Sequence, residues 1–180
     1  MNKFGLVCFT AIVLLLSGCQ GKSSNDELSK AEKNVDQLAA SFKISKLDGY
    51  EVSSVQHTFP PKDKEGNFIG NNQEVLITYT DHIGKLEKVT KEQQTSDERE
   101  FLYGPYQGES VIEITHSNMQ NNLDGAEMIE ISGTQVQKVI SSEHTFEVFN
   151  VANGSITMNF NGMDEDRIQS IAQQIINENN

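Results

Sequence analysis

The chain has 180 residues, two cysteines, no tryptophan and a formal charge of −12. Such an excess of carboxylates repels phosphates, so a nucleic-acid partner is not expected. Charge of this sign speaks first to solubility, and the length suits one domain with a sizeable core.

The N-terminal residues read as an export signal. Lys3 supplies a short positive flank, and the run from Phe4 to Leu16 carries no charge. That run has the length of a signal-peptide core and falls well short of the ~20 apolar residues a spanning helix needs. It is apolar all round, whereas a helix packed on a globular core alternates apolar and polar faces. Leu16-Ser17-Gly18-Cys19 follows it. This tetrad resembles the lipobox of bacterial lipoproteins. The resemblance implies cleavage between Gly18 and Cys19, a diacylglycerol thioether on the Cys19 sulfur, and often acylation of the new amino group. Two or more chains anchor stably, since each buried methylene contributes about 0.8 kcal/mol. The alternative for Cys19 is an ordinary buried thiol.

The expected organisation is therefore a signal peptide over residues 1–18, a lipidated cysteine and tether over 19–26, and one globular domain over 27–180. Cleavage after Gly18 leaves 162 residues at −13. Cys8 departs with the signal and Cys19 is consumed by lipid, so the mature domain has neither thiol nor disulfide and relies on core packing. The tether from Gln20 to Asp26 is small and polar. A helix is expected from Glu27 to Lys43, with Leu28, Ala31, Val35, Leu38, Ala39 and Phe42 on one face. Ser24, Asn25 or Asp26 can cap it.

From Tyr50 the period changes to two. Tyr50–Phe59 reads as a strand, stopped by Pro60-Pro61, and Lys62–Asn72 as a loop. Glu74–Asp81 is a strand with Val75, Ile77 and Tyr79 on one face. Lys85–Gln93 reads as a strand with a charged outer face, placing it at an edge. Glu98–Tyr103 is ambiguous and ends at Gly104-Pro105. Strands follow at Ser110–His116, at Ala126–Ser132 with Met128 inward and Ile129 as a second inward candidate, and at Thr134–Ser141. His144–Ala152 and Ser155–Asn161 flank Asn153-Gly154, a dipeptide suited to a type I′ hairpin turn. A last helix runs from Asp164 to Asn177. Ile168, Ile171, Ala172, Ile175 and Ile176 form its apolar stripe, and Asp164, Glu165 and Asp166 sit in its first turn, where the helix dipole favours anions. The fold class expected is α+β, a curved antiparallel sheet of roughly seven to eight strands with the N- and C-terminal helices on one face.

Three pieces of this pattern resemble the domain of unknown function DUF4367, found in Gram-positive lipoproteins and membrane-anchored regulators. Gly49-Tyr50-Glu51-Val52 with Val75-Leu76-Ile77-Thr78-Tyr79 is similar to its early strands. Ile131-Ser132-Gly133-Thr134-Gln135-Val136 is similar to its strand turn. Phe149 through Gly162, then Ile168-Gln169-Ser170-Ile171-Ala172, is similar to its last hairpin and helix. The resemblance implies a curved antiparallel sheet with helices on one side and no established activity.

No phosphate loop and no Gly-x-Ser-x-Gly occurs, so no cofactor is expected. His57, His82, His116 and His144 are too far apart in sequence for a local metal motif, and only strand pairing could gather them. Asp164-Glu165-Asp166 lacks the glycine and downstream glutamate of a calcium loop. The carboxylate pairs Glu109 with Glu113 and Glu98 with Glu100 read as a solvated face. Tyr103-Gly104-Pro105-Tyr106 is the one loop with two aromatics, and Tyr103 and Tyr106 could either touch a ligand or plug the end of a sheet. The reading is a membrane-anchored extracytoplasmic lipoprotein, a non-catalytic envelope module rather than an enzyme. It would bind a partner protein or an apolar ligand on the open sheet face. The alternative is an envelope hydrolase or metal-dependent enzyme.

Overall fold

The structure, a computed structural model, describes residues 24–38, 43–94 and 98–179. Its elements in chain order are α1 (Ser24–Leu38), β1 (Glu51–Thr58), β2 (Glu74–Thr80), α2 (Lys91–Gln94), β3 (Arg99–Tyr103), β4 (Ile112–Ser117), β5 (Glu127–Ile131), β6 (Thr134–Ser141), β7 (His144–Val151), β8 (Gly154–Asn161) and α3 (Glu165–Asn179). The strands form one open antiparallel sheet in the order β3-β1-β2-β4-β8-β7-β6-β5. The class is α+β, as the change of hydrophobic period implies.

Register decides the two faces. Val55 lies opposite Ile77, Ile77 opposite Ile114, and Ile114 opposite Met158, and all are buried. The stripe of α3 covers that face: Ile168, Ile171, Ala172, Ile175 and Ile176 are all buried in the same cluster. Ala31 of α1 joins it, with Leu28 packed against it. Asp164 caps α3 by accepting the Arg167 amide through Oδ1 at 3.0 Å. Between the helices, residues 43–50 are stitched to α3: Ser45 donates to Glu178, Gln174 donates to the Lys46 carbonyl, and Arg167 to the Asp48 carbonyl.

The opposite face is mostly polar, with Gln56, Thr78, Glu113, Thr115, Thr157 and Asn159 on it. Because β5 pairs at the far edge, the connection from β4 must travel past β8, β7 and β6. It does so across this face. The Asn121 amide donates to Asn150 on β7, Asn121 Nδ2 to Thr157 on β8, and the Leu123 amide to Gln137 on β6. Val148 lies in register with Gln137 and Thr157 beneath that crossing and is fully buried.

Several expectations are corrected. Lys85–Gln93 forms no strand: Leu86 makes one isolated bridge to Tyr106, and α2 follows. Thr90 and Gln93 account for this, since the Gln93 amide donates to Thr90 Oγ1 at 3.2 Å and the Thr90 amide to Gln93 Oε1 at 2.8 Å. That reciprocal pair is a capping box, which starts a helix. The edge is instead β3, the ambiguous segment. Met128 points away from the core and is 56% exposed, while Ile129 and Ile131 face inward, because Ile129 lies opposite the buried Val136. Asn153-Gly154 is not the turn centre. Val151 pairs with Gly154, so Ala152 and Asn153 form the turn, and Asn153 has no positive φ. The positive-φ pair stands at Ser132 (53°) and Gly133 (81°), between β5 and β6.

Gly154 is required by proximity. A Cβ there would stand 2.0 Å from the Ser117 carbonyl oxygen on β4. Gly154→Ala must push β8 from β4 in the middle of the sheet, and overpacking of this kind costs about 1–3 kcal/mol. Urea unfolding followed by circular dichroism should show a loss of about 1–3 kcal/mol.

Candidate functional site

An apolar cleft lies on the helix side, where α1, the 43–50 segment and the ends of β1, β2 and β3 meet. Its volume is about 470 Å³. Leu28, Ile44, Leu47, Val52, Ile83 and Tyr103 give it apolar walls, and Glu32, Lys46 and Glu51 bring charge to its rim. Tyr79 closes the inner end, and its hydroxyl donates to the Ser45 carbonyl at 2.9 Å. Burial raises the Tyr79 phenol well above its ordinary value, with Glu178 and Glu32 adding to the effect.

Of the two tyrosines singled out by sequence, Tyr103 is a wall of this cleft and 6% exposed. Burial, then the neighbouring Tyr106, pushes its hydroxyl up to about 12. Tyr106 is half-buried and backs it, ring centroids 5.3 Å apart. The turn between them is pinned to β1: the Tyr106 amide donates to the Ser53 carbonyl at 2.9 Å, where β1 bulges between Val52 and Ser54. Gly104, at φ 70°, is needed there, since a Cβ would meet that carbonyl at 2.3 Å. The pair therefore plugs the sheet end, and Tyr103 alone faces a space a ligand could enter.

Gly18 and Cys19, with the export segment, lie outside the described residues. Among the described residues no helix is long and apolar enough to cross a membrane.

The histidines stand apart. His57 and His116 share the core face with Val75 between them, one on β1 and one on β4. His57 Nε2 meets Gln73 at 3.1 Å, and its Nδ1 lies 3.5 Å from a Glu100 oxygen. His144 sits on the other face against Asn159 at 3.0 Å, and His82 is exposed in a turn. Among the described residues no three His, Cys, Asp or Glu side chains are placed to hold a metal ion together. Glu113 is occupied by Ser110 and Asn159 at 3.1 Å each, and Glu100 by its place beside His57.

The sequence reading passed over a charged group in the helix-side face. Glu147 of β7 is 1% exposed and in phase with buried Phe149. Lys138 of β6 lies directly opposite it, 3.7 Å from its Oε1, and also bonds Glu165 at the start of α3. Among the described residues Glu147 Oε2 has no hydrogen-bond donor. Burial raises the Glu147 carboxyl above its ordinary value, Lys138 pulls it back, and Glu165 pushes the same way as burial. The signal for it was present in the alternation of β7, which puts a carboxylate between Thr145 and Phe149.

No family model, no curated protein and no solved structure matches this chain.

Burial pushes the His116 imidazole from 6.5 down to about 3. The folded state thus holds it neutral, while the unfolded chain takes up a proton below about pH 6.5. Its contribution is complete above that pH and is lost as the pH falls from 6.5 toward 3. Urea unfolding at pH 7 and pH 5 should show wild type losing about 2 kcal/mol more than His116→Gln between the two conditions.

Proposed function

We propose that this chain is a membrane-anchored extracytoplasmic lipoprotein whose folded part is a non-catalytic binding module of the cell envelope. The observation that carries the reading is Leu16-Ser17-Gly18-Cys19 behind the uncharged run from Phe4 to Leu16. Lipid on Cys19, after cleavage at the Gly18–Cys19 bond, supplies membrane attachment that an acidic surface would not provide by itself. The DUF4367-like sequence pattern belongs to the same reading.

For the folded part, the cleft beside Tyr103 supports an apolar ligand. It joins aliphatic walls to a few polar groups, the usual make-up of a small-molecule site. This moves the expected contact from the open sheet face, which is polar and crossed by the 119–123 segment, to the helix side. The enzyme alternative has less behind it: His57 and His116 share one face with Val75 between them, His144 lies on the other face, and His82 is in an exposed turn.

Two measurements test the two halves. In membrane fractionation the wild-type chain should pellet with bilayers and Cys19→Ser should appear in the medium. Retention of the serine variant on membranes would overturn the anchor. In a titration with the neutral dye Nile red, wild type should bind saturably, and Ile83→Trp, which fills the cleft, should reduce affinity by ~10-fold or more. Equal binding by the two would remove the cleft from the reading.

A further inference from the structure

Strand β5 ends the sheet, and among the described residues no other strand pairs with its outer side. The two-residue turn Ser132-Gly133 makes Ile131 and Thr134 a hydrogen-bonded pair, and antiparallel alternation gives Ile129 and Glu127 the same role. The amides and carbonyls of Met128 and Glu130 therefore point outward. Behind this edge, on the helix side, a groove of about 340 Å³ runs between β5 and the start of α3. Ile129 and Ile140 form apolar walls, and Glu127, Lys138, Glu147 and Glu165 line the rest.

The register makes the charge pattern specific. Glu127 lies directly opposite Lys138, and Lys138 directly opposite Glu147, so one row of the sheet reads acid, base, acid from the edge inward. Glu147 and Glu165 both pair with the Lys138 ammonium, and Glu127 lines the same groove. The innermost, Glu147, is 1% exposed, and among the described residues its Oε2 has no hydrogen-bond donor. A strand added beyond β5 would set a side chain next to Glu127 in the same row, 4.5–5.5 Å away for directly opposed residues on the order of the usual Cβ spacing. A basic residue completes the alternation, and an acidic one breaks it. A second copy of this chain would bring its own acidic edge strand and a like net charge, which disfavours it as the occupant.

We propose that the free edge of β5 accepts an extended basic segment of another protein as a ninth strand, with a lysine or arginine set beside Glu127. Main-chain hydrogen bonds to Met128 and Glu130 hold the strand, and the acidic row selects its side chains. The position is separate from the Tyr103 cleft and does not depend on a ligand there.

The test uses the full chain in detergent and a fluorescein-labelled peptide, Thr-Lys-Thr-Lys-Thr-Lys-Thr, followed by fluorescence anisotropy. Saturable binding is expected, with none for the peptide carrying glutamate in place of lysine. N-methylating the peptide amides that would pair with β5 keeps every charge and should weaken binding at least ~10-fold. Met128→Pro removes one outward amide, which an edge strand tolerates, and should weaken binding by a similar factor while Tm stays close to wild type. Glu127→Gln should also weaken it. Equal affinity for the N-methylated peptide would reduce the interaction to diffuse charge attraction and overturn the proposal, whether or not Met128→Pro folds. Concentration-dependent dimerisation of the chain that Met128→Pro abolishes would also overturn it, by giving the edge to a second copy.

Discussion

The apolar stripe of α3 against the helix-side face of the sheet is the contact on which the rest of the molecule depends. Its four isoleucines and Ala172 are buried together with the central residues of β2, β4 and β8. Burying each isoleucine stabilises the fold by roughly 1.5–3 kcal/mol relative to exposure, in a domain whose described residues contain no cysteine to cross-link it. The same packing fixes where the polar side of the helix falls. Arg167, Gln174 and Glu178 then meet residues 45–48, so the segment after α1 is held as the third member of the helix layer. Tyr79 ties that segment back to the sheet through the Ser45 carbonyl.

The cleft and the β5 groove are both consequences of covering a wide sheet with too little helix. Eight strands span more width than α1, α3 and one extended segment can close. Space is left at the two ends of the layer, near β3 on one side and near β5 on the other. At the first end the gap is lined by aliphatic and tyrosine side chains, which leave water with few partners. At the second it is lined by a charged row, in which Lys138 offsets much of the cost of burying Glu147. The two ends therefore suit different occupants.

The opposite face follows another logic. Neither α1 nor α3 packs on it, and its strands carry threonine, asparagine and glutamine that remain solvated or bond one another. Of its apolar residues, Val148 is covered by the crossing from β4 to β5. That crossing is long because chain order and sheet order diverge: β5 is made after β4 but pairs three strands beyond it. Its asparagines bond the side chains of β7 and β8 as they pass, which explains the polar composition of the connection.

Much of this was legible locally. Alternation marked Val75, Ile77 and Tyr79, and the i, i+3, i+4 spacing marked every buried residue of α3, because those signals depend only on which side chains share a face. The proposed export signal and the proposed lipid acceptor at Cys19 are likewise read from consecutive residues. Pairing partners were not legible. Met128 was expected inward, and only its register against β6 turns it outward. Asn153-Gly154 carried a turn signal, but Gly154 is there for the backbone of Ser117, which lies 37 positions earlier. The Tyr103 cleft draws on α1, three strands and a connecting segment, and the Glu127–Lys138–Glu147 row on three strands. Sequence determined which residues could face a core or carry a lipid, since period and local chemistry suffice for that. Tertiary structure alone decided which of them meet, since strand order sets distances that neighbours in the chain do not encode.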